Sequence, residues 1–310
     1  MAQRAHDNLT GKISFSNLAE VDVKSFIGHE DEINCCAFSS DLKFMVTGSD
    51  DSVVKLWDVA ENKVQHTLKG HSGPIKGCCF SPDNLKVASC AFDHKIVIWD
   101  AQTGTAITTL EDHSSSVESV EFSPCGQYLA SGSWDKTGIV WNLKTRLPEV
   151  VIVGHQSVVQ CCTFSLDGET LATGSWDKTV QTWNIRKDSN LENRVFKGHK
   201  SNIKAVAFSC QKILASASWD CTVRLWDIFK STCLHILDGH NGWVQSCAFS
   251  NDGRFLVSAA DDKIVRIWDV ESGQSVKELE AHCEEINACV FTDSGNILTS
   301  GPQYSTVFLY

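Results

Sequence analysis

The residues of this chain that could do chemistry recur in six sets, each with a histidine, a hydroxyl residue and an aspartate. A hydroxyl beside an imidazole that a carboxylate orients is the arrangement with which serine hydrolases perform nucleophilic catalysis. The sets are His29, Thr47 and Asp51; His71, Ser89 and Asp93; His113, Ser131 and Asp135; His155, Thr173 and Asp177; His199, Ser216 and Asp220; and His240, Ser258 and Asp262. A satisfied buried polar network has the same composition, and six copies fit six structural networks better than six active sites.

No other pattern in the sequence indicates an enzyme, since it has no nucleotide-binding loop, metal-ligand cluster or unpaired acid dyad. The fourteen cysteines contain no CxxC pair. Three adjacent pairs, Cys35-Cys36, Cys78-Cys79 and Cys161-Cys162, would point to opposite faces of a strand. We therefore expect a non-catalytic protein without metal or cofactor, whose thiols are free and buried in a reducing compartment.

The charge and the hydropathy of the chain restrict its partners. The formal net charge of −11 argues against a nucleic-acid partner and favours basic partners. No apolar run approaches the ~18 residues of a membrane span, and the polar start MAQRAHDNLT lacks the apolar core of a secretion signal. We therefore expect a cytoplasmic or nuclear protein that binds neither nucleic acid nor membrane and is a monomer by itself.

A repeat of 41–44 residues organises the whole sequence. Gly-His or a variant opens each unit, at His29, His71, His113, His155, His199, His240 and His282. A β-branched residue follows each histidine, and a phenylalanine comes five positions after that, as in Ile33 and Phe38. The alternation that follows predicts four short strands per unit and no helix. A lone four-stranded sheet cannot bury its faces, so the units must stack.

The cysteines share the register of this repeat. The residues two positions before each inner-strand phenylalanine are Cys36, Cys78, Val120, Cys162, Val206, Cys247 and Cys289. Because valine takes the place of cysteine in two of the seven units, this is a small apolar packing position and not a ligand position.

The strand ends carry a second recurring motif. It reads KLWD at 55–58, VIWD at 97–100, IVWN at 139–142, QTWN at 181–184, RLWD at 224–227 and RIWD at 266–269. With the Gly-His openings, these motifs resemble the WD40-repeat family over residues 28–310. The resemblance implies an all-β fold, a single seven-bladed β-propeller with one sheet per blade around a central channel. Blade repeats would start near residues 28, 70, 112, 154, 198, 239 and 281.

The last unit stops at Tyr310, where the other units have their tryptophan, so its outermost strand is missing. Residues 17–27, NLAEVDVKSFI, resemble the outer strand that precedes each Gly-His elsewhere, such as residues 58–68. We predict that this segment completes the seventh sheet and closes the ring, which removes exposed sheet edges. The propeller would then span residues 13–310 behind a flexible tail of residues 1–12.

In the family, each histidine set joins a strand tryptophan in a hydrogen-bonded structural tetrad. By position, the tryptophans are Trp57, Trp99, Trp141, Trp183, Trp226 and Trp268. The last unit keeps His282 and Ser300, but Tyr304 and Tyr310 replace the aspartate and the tryptophan. We therefore expect this blade to be the loosest.

The residue just before each turn aspartate would project to solvent on the top face of such a propeller, as would the third and fifth residues after each histidine. The aromatic residues at these positions are Phe92, Trp134, Trp176, Trp219 and Trp243, and the acidic sector consists of Glu32, Asp50, Asp261 and Glu285. Two interpretations are open for the tryptophans. They pack on neighbouring loops and hold the blades, or they form a platform that binds a partner.

We predict a rigid scaffold that binds a protein or peptide segment across the channel mouth. Apolar residues of the segment would meet the aromatic arc, and a basic residue, best an arginine, would meet the acidic sector. A second hypothesis rests on residues 129–144 and 171–186, which resemble the sixteen-residue box of WD40 substrate receptors for cullin-RING ubiquitin ligases. The basic residues that end this box, Lys144 and Arg186, would then contact the ligase adaptor.

Overall fold

The computed structural model describes residues 22–185, 193–280, 286, 288–291, 297–300 and 306–309. Within these ranges the chain forms seven four-stranded antiparallel sheets and no helix. The predicted fold class, an all-β seven-bladed propeller, is confirmed.

The strands are numbered in chain order, and each group of four forms one blade. Blade 1 contains β2 (Ile33–Phe38), β3 (Phe44–Ser49), β4 (Val53–Asp58) and β5 (Lys63–Lys69). Blade 2 contains β6 (Ile75–Phe80), β7 (Lys86–Ala91), β8 (Ile96–Asp100) and β9 (Ala106–Leu110). Blade 3 contains β10 (Val117–Phe122), β11 (Tyr128–Ser133), β12 (Thr137–Asn142) and β13 (Leu147–Val153).

The second half of the ring repeats this order. Blade 4 contains β14 (Val159–Phe164), β15 (Thr170–Ser175), β16 (Thr179–Asn184) and β17 (Asn193–Lys197). Blade 5 contains β18 (Ile203–Phe208), β19 (Ile213–Ser218), β20 (Thr222–Asp227) and β21 (Thr232–Asp238). Blade 6 contains β22 (Val244–Phe249), β23 (Phe255–Ala260), β24 (Ile264–Asp269) and β25 (Ser275–Glu280), and blade 7 contains β26 (Ala288–Phe291), β27 (Ile297–Ser300), β28 (Thr306–Leu309) and β1 (Asp22–Ser25).

The ring closes through a strand from the start of the chain. β1 pairs antiparallel with β28, so that Asp22 lies opposite Leu309 and Ser25 lies opposite Thr306. This strand covers residues 22–25 of the predicted closing segment 17–27, whereas residues 17–21 and the tail 1–12 lie outside the described residues. The limits of the domain and of the blade repeats stay predictions.

The turn between the second and third strands of blades 1–6 is tight. The residue after the turn aspartate adopts a left-handed backbone, with φ of 65–70° at Ser52, His94, Lys136, Lys178, Cys221 and Lys263. The aspartate stabilises the turn by accepting the backbone N–H two residues on, as Asp51 does from Val53 at 2.9 Å. Since the chain reverses here within a few residues, the residue before the aspartate lies at the end of the sheet that also carries the Gly-His loops.

The hydrophobic core lies between neighbouring blades. One cluster joins Ile98 of blade 2 to Phe122 and Trp141 of blade 3, and comparable clusters join the other neighbours. A Cβ on Gly48 would lie 2.3 Å from Ile75 Cγ2, so only glycine lets blade 1 approach blade 2 this closely. At the closure, Phe26 packs edge-on against Trp57 with ring centroids 5.6 Å apart. The stacking predicted from the sequence therefore buries the faces of the sheets against each other.

The predicted looseness of the last blade concerns residues that the structure does not describe. His282, Tyr304 and Tyr310 all lie outside the described ranges, so that expectation stays a prediction. Across the described ranges, no helix has the length and apolar character needed to cross a bilayer.

Candidate functional site

Each of the six histidine sets forms one hydrogen-bonded tetrad with a strand tryptophan. In blade 3, His113 Nδ1 lies 2.7 Å from Asp135 Oδ2, and His113 Nε2 lies 2.8 Å from Ser131 Oγ. Trp141 Nε1 donates to the same hydroxyl at 2.8 Å. Blades 1, 2, 4, 5 and 6 repeat this arrangement, with shortest His–Asp distances of 2.8–3.0 Å and His–hydroxyl distances of 2.8 Å.

The tetrad hydroxyls have no capacity left for catalysis. Because Nδ1–H donates to the carboxylate, Nε2 accepts the hydroxyl proton, while the hydroxyl oxygen accepts the indole N–H. The six hydroxyl residues are at most 1% exposed, so no substrate can reach them. The geometry therefore argues for a structural role and against nucleophilic attack.

The pKa shifts of the tetrads agree with this role. Burial tends to raise the carboxyl pKa of Asp135, but hydrogen bonds from His113 and Thr137 outweigh it and hold that pKa well below its usual range. The same balance applies to Asp177 and Asp220. Burial lowers the pKa of His29 and His71, so that these imidazoles stay neutral at pH 7.

Most of the thiols belong to the packing between blades, but Cys125, Cys210 and Cys233 are exposed, so the expectation that the thiols are buried is wrong for these three. The thirteen cysteines in the described ranges are thiols that form no disulfide. Of the five cysteines in register, Cys36 is half-buried and the other four are buried. Burial raises the pKa of Cys162 and Cys247 well above its ordinary value, which makes these thiols poor nucleophiles and poor ligands. The described part of the chain contains no group of three or more His, Cys, Asp or Glu side chains placed to hold a metal.

On the top face, four tryptophans form one continuous row. Trp134 and Trp176 have ring centroids 5.4 Å apart, and Trp176 and Trp219 follow at 5.8 Å. Trp219 stacks on Trp243 at 4.6 Å, with 16° between the ring planes. We call these four residues, Trp134, Trp176, Trp219 and Trp243, the tryptophan row. The row crosses blades 3 to 6, and each of its ring contacts joins two neighbouring blades.

The exposure of the row differs along its length. Trp134 at one end is 43% exposed and Trp243 at the other is 49% exposed, whereas Trp176 and Trp219 are half-buried between their neighbours. The sequence predicted that every turn tryptophan projects to solvent, and this is wrong for the two inner members because the row covers them. Phe92, 54% exposed, lies beyond the Trp134 end.

In blades 1–6, a β-bulge in the inner strand directs a polar side chain into the channel. The register of β14 with β15 shifts between Val159 and Cys161, which leaves Gln160 as the extra residue. Blades 1, 2, 3, 5 and 6 shift at the same place. The six extra residues, which we call the bulge ring, are Asn34, Lys76, Glu118, Gln160, Lys204 and Gln245. Bulges commonly redirect side chains in this way next to functional sites.

The bulge ring surrounds a cavity of about 680 Å³ at the mouth of the channel. All six of its side chains line this cavity, together with Pro74, Phe92 and Trp134. The channel mouth therefore presents polar side chains in its centre and aromatic side chains on the rim of blades 2 and 3. A concave site with this mixture suits a small number of side chains from a partner.

Hydrogen bonds connect the tryptophan row to the bulge ring in blades 3 and 4. Trp176 Nε1 donates to Gln160 Oε1 at 2.9 Å, and Gln160 Nε2 donates to Glu118 Oε2 at 3.2 Å. Ser116 Oγ donates to the other carboxylate oxygen of Glu118 at 2.8 Å. These bonds orient Trp176 as well as the polar centre.

The carboxylates of the acidic sector are less available to a partner than the sequence suggests, because two of them already bond within the protein. Asp50 accepts from Asn34 and forms an ion pair with Lys76 at 3.1 Å, so its charge is already compensated. Asp261 accepts from Gln245 at 2.7 Å, and burial raises its pKa. Glu32 is exposed, whereas Glu285 lies outside the described residues.

One of the two residues proposed to contact a ligase adaptor lies at the opposite end of its blade. Lys144 is exposed in the turn between β12 and β13, on the far side of blade 3 from Trp134. Arg186 lies outside the described residues.

The family comparison accounts for this architecture. The family model described as WD domain, G-beta repeat (WD40) matches residues 20–58, 62–100, 104–142, 147–184, 191–227, 231–269 and 273–309. The chain belongs to the WD40-repeat family. WD40 propellers generally act as scaffolds that bind proteins or peptides, and they are typically non-catalytic. No curated protein matches the chain. Each WD40 match starts at an outer strand, so the first one joins β1 of blade 7 to three strands of blade 1.

The bulge ring is the part of the site that the sequence analysis did not assign. Its members were expected on the top face, but the candidate site comprised only the turn residues and three of the neighbouring positions. A signal was present, because the fifth residue after each histidine is polar in strands that otherwise alternate small and apolar residues. What the sequence does not contain is the bulge, which turns that side chain into the channel.

Proposed function

We propose that the top face of this WD40 propeller binds an extended segment of another protein, laid across the channel mouth. The observation that carries the proposal is the tryptophan row, in which four rings are in contact and the end member Trp134 borders a polar cavity. Exposed aromatic clusters are the usual anchors of protein interfaces.

The interpretation that the tryptophans only hold the blades explains the inner members better than the ends. Trp176 and Trp219 are covered on both sides and stabilise the top face. Trp134 and Trp243 still present 43% and 49% of their surface to solvent, which packing between blades does not require. An apolar or aromatic side chain of the partner would cover these ends, and the mouth has room for one or two further side chains.

A basic residue of the partner would meet the acidic sector, and arginine fits best because it stacks on indole and pairs with carboxylates. Glu32 and Asp261 are the strongest candidates for this contact, since Asp50 already pairs with Lys76. Glu285 completes the proposed sector. In line with the net charge of −11, we propose that the partner is neither nucleic acid nor membrane.

Affinity capture from a cell extract tests the proposal when the wild type is compared with a Trp134→Ala, Trp243→Ala double variant. Phe229→Ala is the matched control, since Phe229 is 63% exposed in the turn after β20, at the opposite end of the blades. We expect the double variant to lose its partner, because each anchor contributes about 2 kcal/mol or more, while the control keeps it. A partner that binds the folded double variant as well as the wild type would place the interface elsewhere.

A second candidate function is that of substrate receptor in a cullin-RING ubiquitin ligase. The observation that favours it is the position of Lys144, exposed opposite the tryptophan row, where an adaptor could bind without blocking a substrate. We expect a Lys144→Glu, Arg186→Glu variant to lose copurification with the adaptor and to keep the top-face partner. Absence of any cullin adaptor from wild-type complexes would remove this candidate.

The remaining expectations are also proposals. We propose a protein that acts in the cytoplasm or nucleus, is a monomer by itself and needs no cofactor. The whole-chain pattern of repeats resembles that of WD repeat-containing protein thirty-eight, a single-propeller protein, but this resemblance identifies no partner.

A further inference from the structure

The inner strands of neighbouring blades meet in a pair of side chains that recurs around the channel. The sixth residue after one histidine meets the seventh residue after the next. Cys35 Sγ lies 3.3 Å from Cys78 Sγ between blades 1 and 2, and Ser119 Oγ lies 3.4 Å from Cys162 Sγ between blades 3 and 4. Counted in this way along the sequence, the six pairs are Cys35 and Cys78, Gly77 and Val120, Ser119 and Cys162, Cys161 and Val206, Ala205 and Cys247, and Ser246 and Cys289. The first pair alone consists of two thiols.

Contacts across the boundary of blades 1 and 2 hold the two thiols close together. Cys78 Sγ lies 3.7 Å from the carbonyl oxygen of Val46, so this thiol of blade 2 is seated against blade 1. Asn34, the residue before Cys35, donates from Nδ2 to Ile75 O at 2.8 Å. The sulfur atoms of a disulfide are about 2.05 Å apart, so the two Sγ atoms need to approach by only ~1 Å. The fold therefore places both sulfur atoms near bonding distance before any oxidant arrives.

We propose that Cys35 and Cys78 form a reversible disulfide between blades 1 and 2 when the protein meets a hydroperoxide. Hydrogen peroxide is the oxidant of this reaction. A low-molecular-weight thiol such as glutathione returns the pair to two thiols by exchange, and it is itself oxidised to a disulfide.

Cys35 is the thiol that reacts with the oxidant. It is half-buried, and its equivalents in blades 3 and 4, Ser119 and Cys161, line the cavity at the channel mouth, which admits a molecule as small as hydrogen peroxide. After losing its proton, the Cys35 sulfur attacks one peroxide oxygen and the O–O bond breaks. The hydroxide that leaves takes up the proton, so the products are a sulfenic acid on Cys35 and one water.

Cys78 completes the link. Its sulfur attacks the sulfur of Cys35, the S–O bond breaks, and the hydroxyl group leaves with the Cys78 proton as a second water. Hydrogen bonding with Cys35 and burial raise the pKa of the Cys78 thiol well above its ordinary value, which makes this step slow at neutral pH and faster as the pH rises. The two sulfur atoms are oxidised, and the peroxide is reduced to two waters.

The disulfide would tie blade 1 to blade 2 covalently beside the channel. It closes a loop of residues 35–78, which runs from β2 of blade 1 to β6 of blade 2. A cross-link of this kind restricts the unfolded chain more than the folded one. The oxidised ring should therefore resist unfolding more strongly than the reduced ring.

Peptide mapping of the full-length chain tests the proposal. The reduced, folded protein is treated with hydrogen peroxide, its remaining thiols are alkylated in urea, and it is digested with trypsin without reductant. We expect the peptide that contains Cys35 to be linked to the peptide that contains Cys78, and glutathione to remove the link. The oxidised wild type should also unfold at a higher urea concentration than the reduced wild type.

Variants that copy other blades identify the two sulfur atoms. Cys35→Ser recreates the pair of Ser119 and Cys162, and Cys78→Val recreates the valine of blade 3, so both should fold. Both should lose the cross-link and the stabilisation by peroxide. Cys36→Val is the matched control, because valine occupies this position in blades 3 and 5, and it should keep both properties. Ser119→Cys should gain a second cross-link, to Cys162.

Several outcomes would overturn the disulfide. These are a folded wild type that yields no such link, a link that persists in Cys35→Ser, and a link that is lost in Cys36→Val. A link that forms only after the chain is unfolded in urea would show that the fold does not bring the two thiols together. Accumulation of sulfinic acid on Cys35 in place of the link would show that Cys78 does not reach it.

Discussion

The tetrads and the bulge ring both consist of polar residues at fixed places in the same repeat, but their residue types vary from blade to blade to different extents. Five members of the bulge ring bond to neighbours, yet its residue type changes from Asn to Lys, Glu, Gln, Lys and Gln around the ring. The tetrads vary only between Ser and Thr at the hydroxyl. A tetrad is closed within one buried sheet, so any change leaves a partner unpaired, whereas a bulge residue borders an open cavity. Uniform positions therefore stabilise the blades, and variable positions are free to determine a partner.

Loss of the closing strand should have the largest effect, because it breaks the ring that both regions share. Deleting residues 1–27 removes β1 and Phe26, which exposes the edge of β28 and uncovers Trp57. We expect the chain to lose cooperative unfolding in urea and to aggregate. Deleting residues 1–10 is the control and should leave the unfolding midpoint unchanged. Equal stability of the two deletions would contradict the closure.

A tetrad change should cost much more stability than a bulge-ring change. Ser131→Ala leaves His113 Nε2 and Trp141 Nε1 buried without a partner, which should lower the free energy of unfolding by about 2–4 kcal/mol. Gln245→Ala removes one bond to Asp261 at the open mouth and should cost about 1 kcal/mol or less. Denaturant unfolding of both variants measures the difference. Similar losses would erase the distinction between the two regions.

Glu121 occupies a second variable position, which lies further along the inner strand of blade 3 than the bulge residue. Its equivalents in blades 1, 2 and 4 are Ala37, Cys79 and Thr163. Burial raises the pKa of Glu121 from 4.5 to about 7, although Thr163 Oγ1 and Phe164 N donate to it at 3.1 and 3.2 Å. This variable position therefore holds a carboxyl group whose ionisation destabilises the blade.

The sign of the resulting pH dependence follows from the raised pKa. The folded state binds the proton more tightly, so the contribution of Glu121 is fully present below pH 4.5 and is lost as the pH rises through 7. Glu121→Gln should be more stable than the wild type at pH 8 by about 2–3 kcal/mol and similar to it near pH 4. Thermal unfolding between pH 4 and pH 8 measures both. A constant difference across this range would show that Glu121 does not titrate there.

The smallest effects on stability are expected at the ends of the tryptophan row. Trp134→Ala should cost about 1 kcal/mol or less, because nearly half of the side chain is already exposed. Trp176→Ala should cost about 2 kcal/mol, since this ring contacts two others and donates to Gln160. Urea unfolding of the two variants tests the gradient. If Trp134→Ala were the more damaging change, the row would be part of the packing throughout.

Much of the fold and part of the site could be predicted because the repeat is local. The steps between histidines, the alternation within strands and the Trp-Asp ends are written within each unit, and they predicted the blade count and the closing strand. The resemblance to the WD40 family, carried over position by position, predicted the residues that the structure brings together in tetrads. These contacts lie within one sheet, where antiparallel pairing and side-chain alternation determine which residues meet.

Contacts between blades and local backbone irregularities were decided only by the tertiary structure. The stacking that half-buries Trp176 and Trp219, and the ion pair between Asp50 and Lys76, depend on how far each sheet turns relative to its neighbour. The bulge that turns Lys204 into the channel interrupts the alternation on which sequence reasoning relies. The sequence by itself therefore determined which residues each blade contains. The closed ring determined which side chains remain accessible to a partner, because that accessibility depends on contacts between residues about 42 positions apart along the chain.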